Sequence, residues 1–375
     1  MATRDQPIIR GSLAASAELD HTGALIVIDR VTLVRSLFCT ATLIAPETLV
    51  TAKHCALSAF EAEAFDLDVG WLVGPAVSDA AEVIPIVAVE LAPLNQGGFL
   101  GIGRDVAVAH LEHPTTIPPV EPRSLEDDHI GQAMLSIGYG VFSPIGTEDQ
   151  RRRIGSETVT AVRGRVLAAT FGSFESYVEW SFTGNVTDFN YLQLFAPGDF
   201  FAQLLLQSLR TDFDSLLLLD GYEAVTGREP GDTQTCSGDS GGPLALQSPD
   251  GSWQTYGVVS GGPSSATSVC DYGSVFATFG PETLAFLEQA ASWVDACGEL
   301  PRDGECQGSL AVRCETGLFA GVRRLVARDC AATGQECFLA TSGVACHEPL
   351  PADEIRADEI RVGPADEGTT DGAAP

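Results

Sequence analysis

The ten cysteines of this 375-residue chain fall into two sets, and that division constrains the fold more than any other feature. Four stand far apart, at Cys39, Cys55, Cys236 and Cys270. The other six, Cys297, Cys306, Cys314, Cys330, Cys337 and Cys346, crowd into one short stretch with glycines and charged residues between them. A segment that small buries little core and needs covalent staples, so three disulfides are expected there with their pairing left open. No two cysteines form a C-x-x-C pair, which disfavours a zinc ribbon or a redox dithiol, and no metal is expected. Disulfides persist in oxidising compartments, so the protein is expected to be secreted or periplasmic. Neither a cationic-then-apolar leader nor a membrane-length apolar run is visible in the chain.

A formal charge of −30 excludes two classes of partner. Nucleic acid and anionic membrane surfaces would both be repelled. An acidic surface suits solubility outside the cell. The length allows two domains, or one large domain with attachments.

The chemistry concentrates in Thr235-Cys236-Ser237-Gly238-Asp239-Ser240-Gly241-Gly242-Pro243-Leu244. Glycines let a backbone take positive φ and approach a ligand closely, which is what an attacking serine hydroxyl requires. This stretch resembles the nucleophile loop of the trypsin-like (chymotrypsin-fold) serine proteases. The resemblance implies Ser240 as nucleophile, the N–H groups of Gly238 and Ser240 as an oxyanion hole, and a bridge between Cys236 and Cys270.

Other stretches carry the same likeness over roughly residues 8–295. Phe38 to Ile44 and Leu49 to Cys55 resemble the family's Cys-x-Gly-[Ser/Thr]-Leu-Ile and Leu-Thr-Ala-Ala-His-Cys pair, implying a Cys39–Cys55 bridge and His54 as general base. Ala41 and Lys53 depart from the commonest residues there and are not expected to remove activity. An imidazole titrates near neutrality and suits proton transfer to and from the serine. His21, His110, His113, His129 and His347 have no such framing. Gly103 to Leu111 resembles the family's Asn-Asp-Ile-Ala-Leu-Leu-x-Leu strand bearing the acid, here Asp105, although an aspartate before a strand is also an ordinary turn residue. In the order His54, Asp105, Ser240 it becomes the third member, which would hold the imidazole's tautomer.

Further expectations follow from the resemblance. Ser260 would hydrogen-bond Asp105, and Gly262 and Gly273 would wall the substrate pocket. Gly261 stands where the family usually has Trp. Gln234 falls at the pocket base, and a neutral amide offers no charge for Arg or Lys. Ile8-Ile9-Arg10-Gly11 resembles the family's released N-terminus, which would pair with Asp239 after cleavage, yet Pro7 precedes it where Arg or Lys is usual; an ordinary strand start fits these residues equally. Leu135 to Gly140 is a looser likeness to a strand that turns near the oxyanion region.

Residues 25–37 alternate as one half-buried strand should. Phe171 to Leu219 matches no family landmark and reads as an insertion packed on a barrel with a short helix. Asn185-Val186-Thr187 satisfies a glycosylation sequon. Pro281 begins a helical pattern ending near Trp293-Val294. From Pro349 the acidic, repeated Ala-Asp-Glu-Ile-Arg tail is expected to be disordered.

The sequence reading is therefore an all-β protein: two antiparallel six-stranded β-barrels with a C-terminal helix, plus a small disulfide-rich C-terminal module. The divisions are a protease domain over 8–295, a Cys-rich module over 296–348 and an acidic tail over 349–375. The function expected is a secreted serine endopeptidase, made as a zymogen, acting on protein or peptide substrates without a cofactor. A catalytically silent homologue acting as a binding protein is the alternative, and an esterase with the same triad is a further one. The module could bind a surface or a partner, or merely cap the protease.

Overall fold

The computed structural model describes residues 8–62, 65, 67–140, 149–182, 200–263, 270, 272–292, 300–301, 303–316, 323–340 and 343–348. The segment 1–7, the sequon at Asn185, the Trp293-Val294 end of the helical pattern, Cys297 and the tail from Pro349 lie outside these.

A short β1 (Ser12–Leu13) precedes the first barrel, built from β2 (Thr22–Asp29), β3 (Arg35–Ala45), β4 (Thr48–Thr51), β5 (Leu67–Val73), β6 (Glu82–Leu91) and β7 (Ala107–Leu111). The α-helix α1 (Lys53–Ala62) follows β4. The strands run β6-β5-β2-β3-β4-β7, and β7 pairs back with β6 to close the ring. Leu25, Leu43, Leu49, Trp71 and Ile84 fill its interior, each at most 1% exposed. Gly23 is required there, because a Cβ would run into the Trp71 indole.

The single strand expected over residues 25–37 is two strands. Asp29 breaks it: its carboxylate accepts from the N–H groups of Val31 (2.9 Å) and Thr32 (2.7 Å), and Leu33 takes φ +57°. Such local side-chain bonds offer the backbone an alternative to the ladder. The apolar residues of the tip, Val31, Leu33 and Val34, therefore face solvent.

The second barrel begins after a two-residue β8 (Glu121–Pro122). It comprises β9 (Ala133–Gly138), β10 (Arg153–Ala161), then, beyond an insertion, β11 (Glu223–Thr226), β12 (Pro243–Gln247), β13 (Trp253–Gly261) and β14 (Ser274–Thr278). The order β10-β11-β14-β13-β12-β9 closes through β9 pairing β10. Met134, Val159, Leu244 and Phe276 form its core.

Among its described residues the insertion holds three helices where one short helix was expected: α2 (Val166–Phe171), α3 (Phe174–Phe182) and α4 (Phe200–Ser215). Gly172, at φ +74°, ends α2 and lets the chain turn into α3. Rings from α3 and from Tyr272 pack at tilted angles around Phe171 of α2, with Tyr177, Trp180 and Tyr272 centroids 4.9–5.4 Å away. Helix α5 (Pro281–Ala291) starts with Pro281 at its first turn and buries Leu287 and Ala290 against the first barrel's core.

The C-terminal stretch forms β15 (Glu305–Gln307), β16 (Leu310–Thr316) and β17 (Arg323–Asp329), followed by a hairpin of β18 (Glu336–Ala340) and β19 (Gly343–His347). Disulfides Cys306–Cys337 and Cys330–Cys346 tie the hairpin to the three strands, and Cys314 is disulfide-bonded as well. The β17 strand pairs parallel with the far half of β6, Arg323 opposite Ala88 and Leu325 opposite Glu90. The module thus extends the first barrel's sheet along an edge that β5 leaves uncovered.

Candidate active site

The Ser240 loop sits where the two barrels meet. Thr40 of β3 donates through its N–H to Ser240 O (2.8 Å) and through its hydroxyl to Gly238 O (2.9 Å). Gly241, at φ +80°, presses so closely on β3 and β4 that a Cβ would strike the Thr51 hydroxyl and the Thr40 carbonyl. Gly238 takes φ +96°, turning the loop so that among the described residues neither its N–H nor that of Ser240 meets a protein acceptor. Two unengaged donors on a rigid turn are what an oxyanion would need.

Two residues after Thr51 the chain enters α1, whose first turn carries His54. Asp105, just ahead of β7 and 1% exposed, meets it twice. Oδ1 accepts from the His54 N–H at 3.0 Å, and Oδ2 lies 2.9 Å from Nδ1. Ser260 of β13 donates to the same Oδ2 at 2.7 Å. A carboxylate facing Nδ1 selects the tautomer with its proton there and leaves Nε2 as an acceptor. Among the described residues no hydrogen bond joins Ser240 Oγ to the ring, a looseness common in unliganded sites. The disulfide Cys39–Cys55 pins β3 to α1 beside His54, and Cys236–Cys270 pins the Ser240 loop. Cys39, Cys55 and His54 cluster within 4.8 Å, but bridged sulfurs are not thiolates and offer no metal ligand.

Two buried acids lie behind the loop. Asp239, fully buried, accepts from the N–H groups of Gly140 (2.8 Å) and Cys236 (2.9 Å), and no ammonium or guanidinium pairs with it among the described residues. Burial pushes it up to about 7, against the pull of those two donors. Gly138 and Gly140 must be glycine here, since a Cβ on either would meet this carboxyl. Glu157 of β10 accepts from Ser136 (2.8 Å) and Thr226 (2.6 Å), and burial pushes it also to about 7. Ile8 is 1% exposed, and Ile9 pairs with Gln234 as an isolated bridge.

A cavity of about 160 Å³ adjoins Ser240, lined by Thr235, Cys236, Ser237, Val259, Gly261, Gly262 and Cys270. Gln234 and Gly273, expected at its base and wall, do not line it. The Gln234 amide donates to Gly227 O (2.6 Å) and accepts from the Gly273 N–H, so it fastens two loops behind the pocket. Thr235 takes the inner position, its N–H and hydroxyl both on Ser274 Oγ.

Three residues beside the site escaped the sequence reading. Phe99 lies against Gly261, its ring 3.2 Å from where a Cβ there would stand, and occupies space that a Trp would need. Glu223 of β11 holds that residue by accepting from the Phe99 N–H at 2.6 Å. Glu157 is the third. The run Gly97-Gly98-x-x-Gly101-x-Gly103 was the available signal for a tight loop, with all four glycines at positive φ.

The sequence profile of the trypsin family matches residues 8–168. A curated relative, chymotrypsin-C of Rattus norvegicus, is 62% identical over 34 residues, which is 9% of this chain and 13% of that protein's length. The match thus spans well under two thirds of the relative. Together with the two closed six-stranded barrels, the profile match makes the fold similar to that of the trypsin-family serine proteases.

Proposed function

We propose that the protein is a serine endopeptidase in which Ser240 attacks the scissile carbonyl, His54 accepts and returns the proton, and Asp105 orients the imidazole. The observation that carries this reading is the Asp105 carboxylate, buried and engaged at once by His54 Nδ1, the His54 N–H and Ser260. A buried carboxylate facing Nδ1 stabilises the imidazolium that forms during attack. The acyl-enzyme on Ser240 is then hydrolysed by water activated at His54. The free N–H groups of Gly238 and Ser240 would hold the oxyanion, each donor contributing on the order of 3 kcal/mol in the transition state.

The residue held next to Ser240 is small and uncharged in this account. The cavity is modest and its lining presents no carboxylate. Ten cysteines and the family support export to an oxidising compartment. Cleavage ahead of Ile8 would release an ammonium to pair with the buried Asp239, which has no cationic partner among the described residues, and that pairing would act as the activating switch.

The test is hydrolysis of a panel of peptides and matched esters by protein beginning at Ile8. Peptide cleavage that falls about 10⁶-fold in Ser240→Ala supports the proposal. Ester turnover without peptide cleavage would favour an esterase. Neither, in protein so processed, would leave a binding homologue.

A further inference from the structure

Lys53, the residue immediately before His54, is a departure that the sequence reading treated as indifferent. Its side chain is 2% exposed, and its ammonium donates to Leu94 O (2.8 Å), Asn95 Oδ1 (3.2 Å) and Ile102 O (3.2 Å). No carboxylate lies within ion-pair distance of it among the described residues. Those three acceptors come from both ends of one loop. Leu94 and Gly103 touch at its neck, Gly103 donates to Gly97 O at 2.9 Å, and Leu94 is held at φ +74°. The loop then runs through Arg104 into Asp105.

We infer that Lys53 is a positioning residue for the proposed base and acid: its buried ammonium closes the Leu94–Gly103 loop and so sets Asp105 in register with His54. This rests on the proposed function above. Two consecutive residues of the β4–α1 junction grip two points three residues apart on the acid-bearing segment, Lys53 on Ile102 and His54 on Asp105. One grip alone would leave the segment free to pivot. An ammonium without a counter-ion carries a desolvation cost that an aliphatic residue would avoid, so what it supplies is its donors at the loop neck.

Burial lowers Lys53 to about 8, Asp105 opposing that fall and Arg104 adding to it. From α1 the titratable neighbour is His54. From the loop they are Asp105, Arg104 and the neutral Asn95. Among the described residues the module contributes Val326 and Ala327, across a cavity of about 310 Å³ that also touches Leu57 and Pro93. Loss of one proton from Lys53 removes a donor from the neck, so the geometry at Asp105 should loosen as pH rises past about 8.

The experiment measures kcat and KM for one peptide from pH 6 to 10 in wild type, Lys53→Met and Lys53→Arg, all beginning at Ile8. The downfield Nδ1–H resonance of His54 is followed over the same range. Expected are a wild-type kcat that declines above about pH 8 and a loss of about 10- to 100-fold in Lys53→Met. KM should change less, and the decline at pH 8 should vanish in that variant. In Lys53→Arg most of kcat returns and the decline moves beyond the range, because guanidinium stays charged. Wild-type kcat in Lys53→Met, with the same decline, overturns the inference. If Lys53→Met does not fold, an unshifted decline in Lys53→Arg overturns it equally. If wild type itself turns over nothing, the endopeptidase reading has failed separately. The resonance then decides: unchanged in Lys53→Met it refutes Lys53, and broadened there it supports it.

Discussion

Ser260 Oγ and His54 Nδ1 converge on a single oxygen, Oδ2 of Asp105, at 2.7 and 2.9 Å. That shared oxygen ranks the partners. Asp105→Asn would offer an N–H or a weak acceptor to Nδ1 and favour the wrong tautomer, so kcat should fall about 10⁴-fold with the fold retained. Ser260→Ala removes one neutral donor to a charged acceptor, worth about 1.5–3 kcal/mol, and should lower kcat about 10- to 100-fold. Steady-state kinetics on the two variants checks the order; equal losses would contradict it.

The two buried acids make stability depend on pH. Glu157 and Asp239 both titrate near 7 in the folded protein because burial penalises their charge, whereas unfolded carboxyls ionise near about 4. Between those values the folded state binds more protons, so unfolding free energy falls as pH rises from about 4 to about 7 and then levels. Urea midpoints across that range should decline in wild type and decline less in Glu157→Gln. Cleavage ahead of Ile8 should remove Asp239's share, since an ammonium beside it would return its pKa toward the ordinary range. An unchanged slope in both cases would contradict the assignment.

Gly241 holds the nucleophile loop against the first barrel. Gly241→Ala places a Cβ on the Thr51 hydroxyl and the Thr40 carbonyl at φ +80°. It should destabilise by about 3 kcal/mol or more and abolish turnover. Thermal unfolding and kinetics together test this; a variant with wild-type Tm would show that the loop can give way.

Gln234 gives a sharper test of the pocket. Gln234→Asp withdraws the amide that joins Gly227 O to the Gly273 N–H and puts a carboxylate where the cavity does not reach. It should therefore lose stability without gaining cleavage after Arg or Lys. Strong cleavage after a basic residue in a peptide library would mean that Gln234 does face the substrate.

Much of the fold could be read because its constraints are local. Alternating apolar strands, four spaced cysteines and glycines forced by contact, such as Gly23 and Gly241, leave marks at single positions. His54 and Ser240 stand in short dense motifs for the same reason. The turn at Asp29 was missed because residues 25–37 are apolar on both sides of it, and only one carboxylate bonding Val31 and Thr32 divides them. The pairing of β17 with β6 was invisible, since backbone hydrogen bonds across more than 230 residues carry no side-chain signature. The pocket role of Gln234 rests on its position along the chain, which says nothing of the turn its side chain makes to Gly227. Lys53 and Phe99 act through a loop whose glycine run from Gly97 to Gly103 marks a tight turn, while the backbone carbonyls that close it leave no mark in the sequence.

The central claim is that Ser240 is a nucleophile served by His54. Fluorophosphonate labelling of protein beginning at Ile8, with mass spectrometry to locate the adduct, tests it most directly. The account predicts an adduct on Ser240 that is absent in His54→Ala. No adduct on wild-type protein whose N-terminus is verified as Ile8 would contradict it.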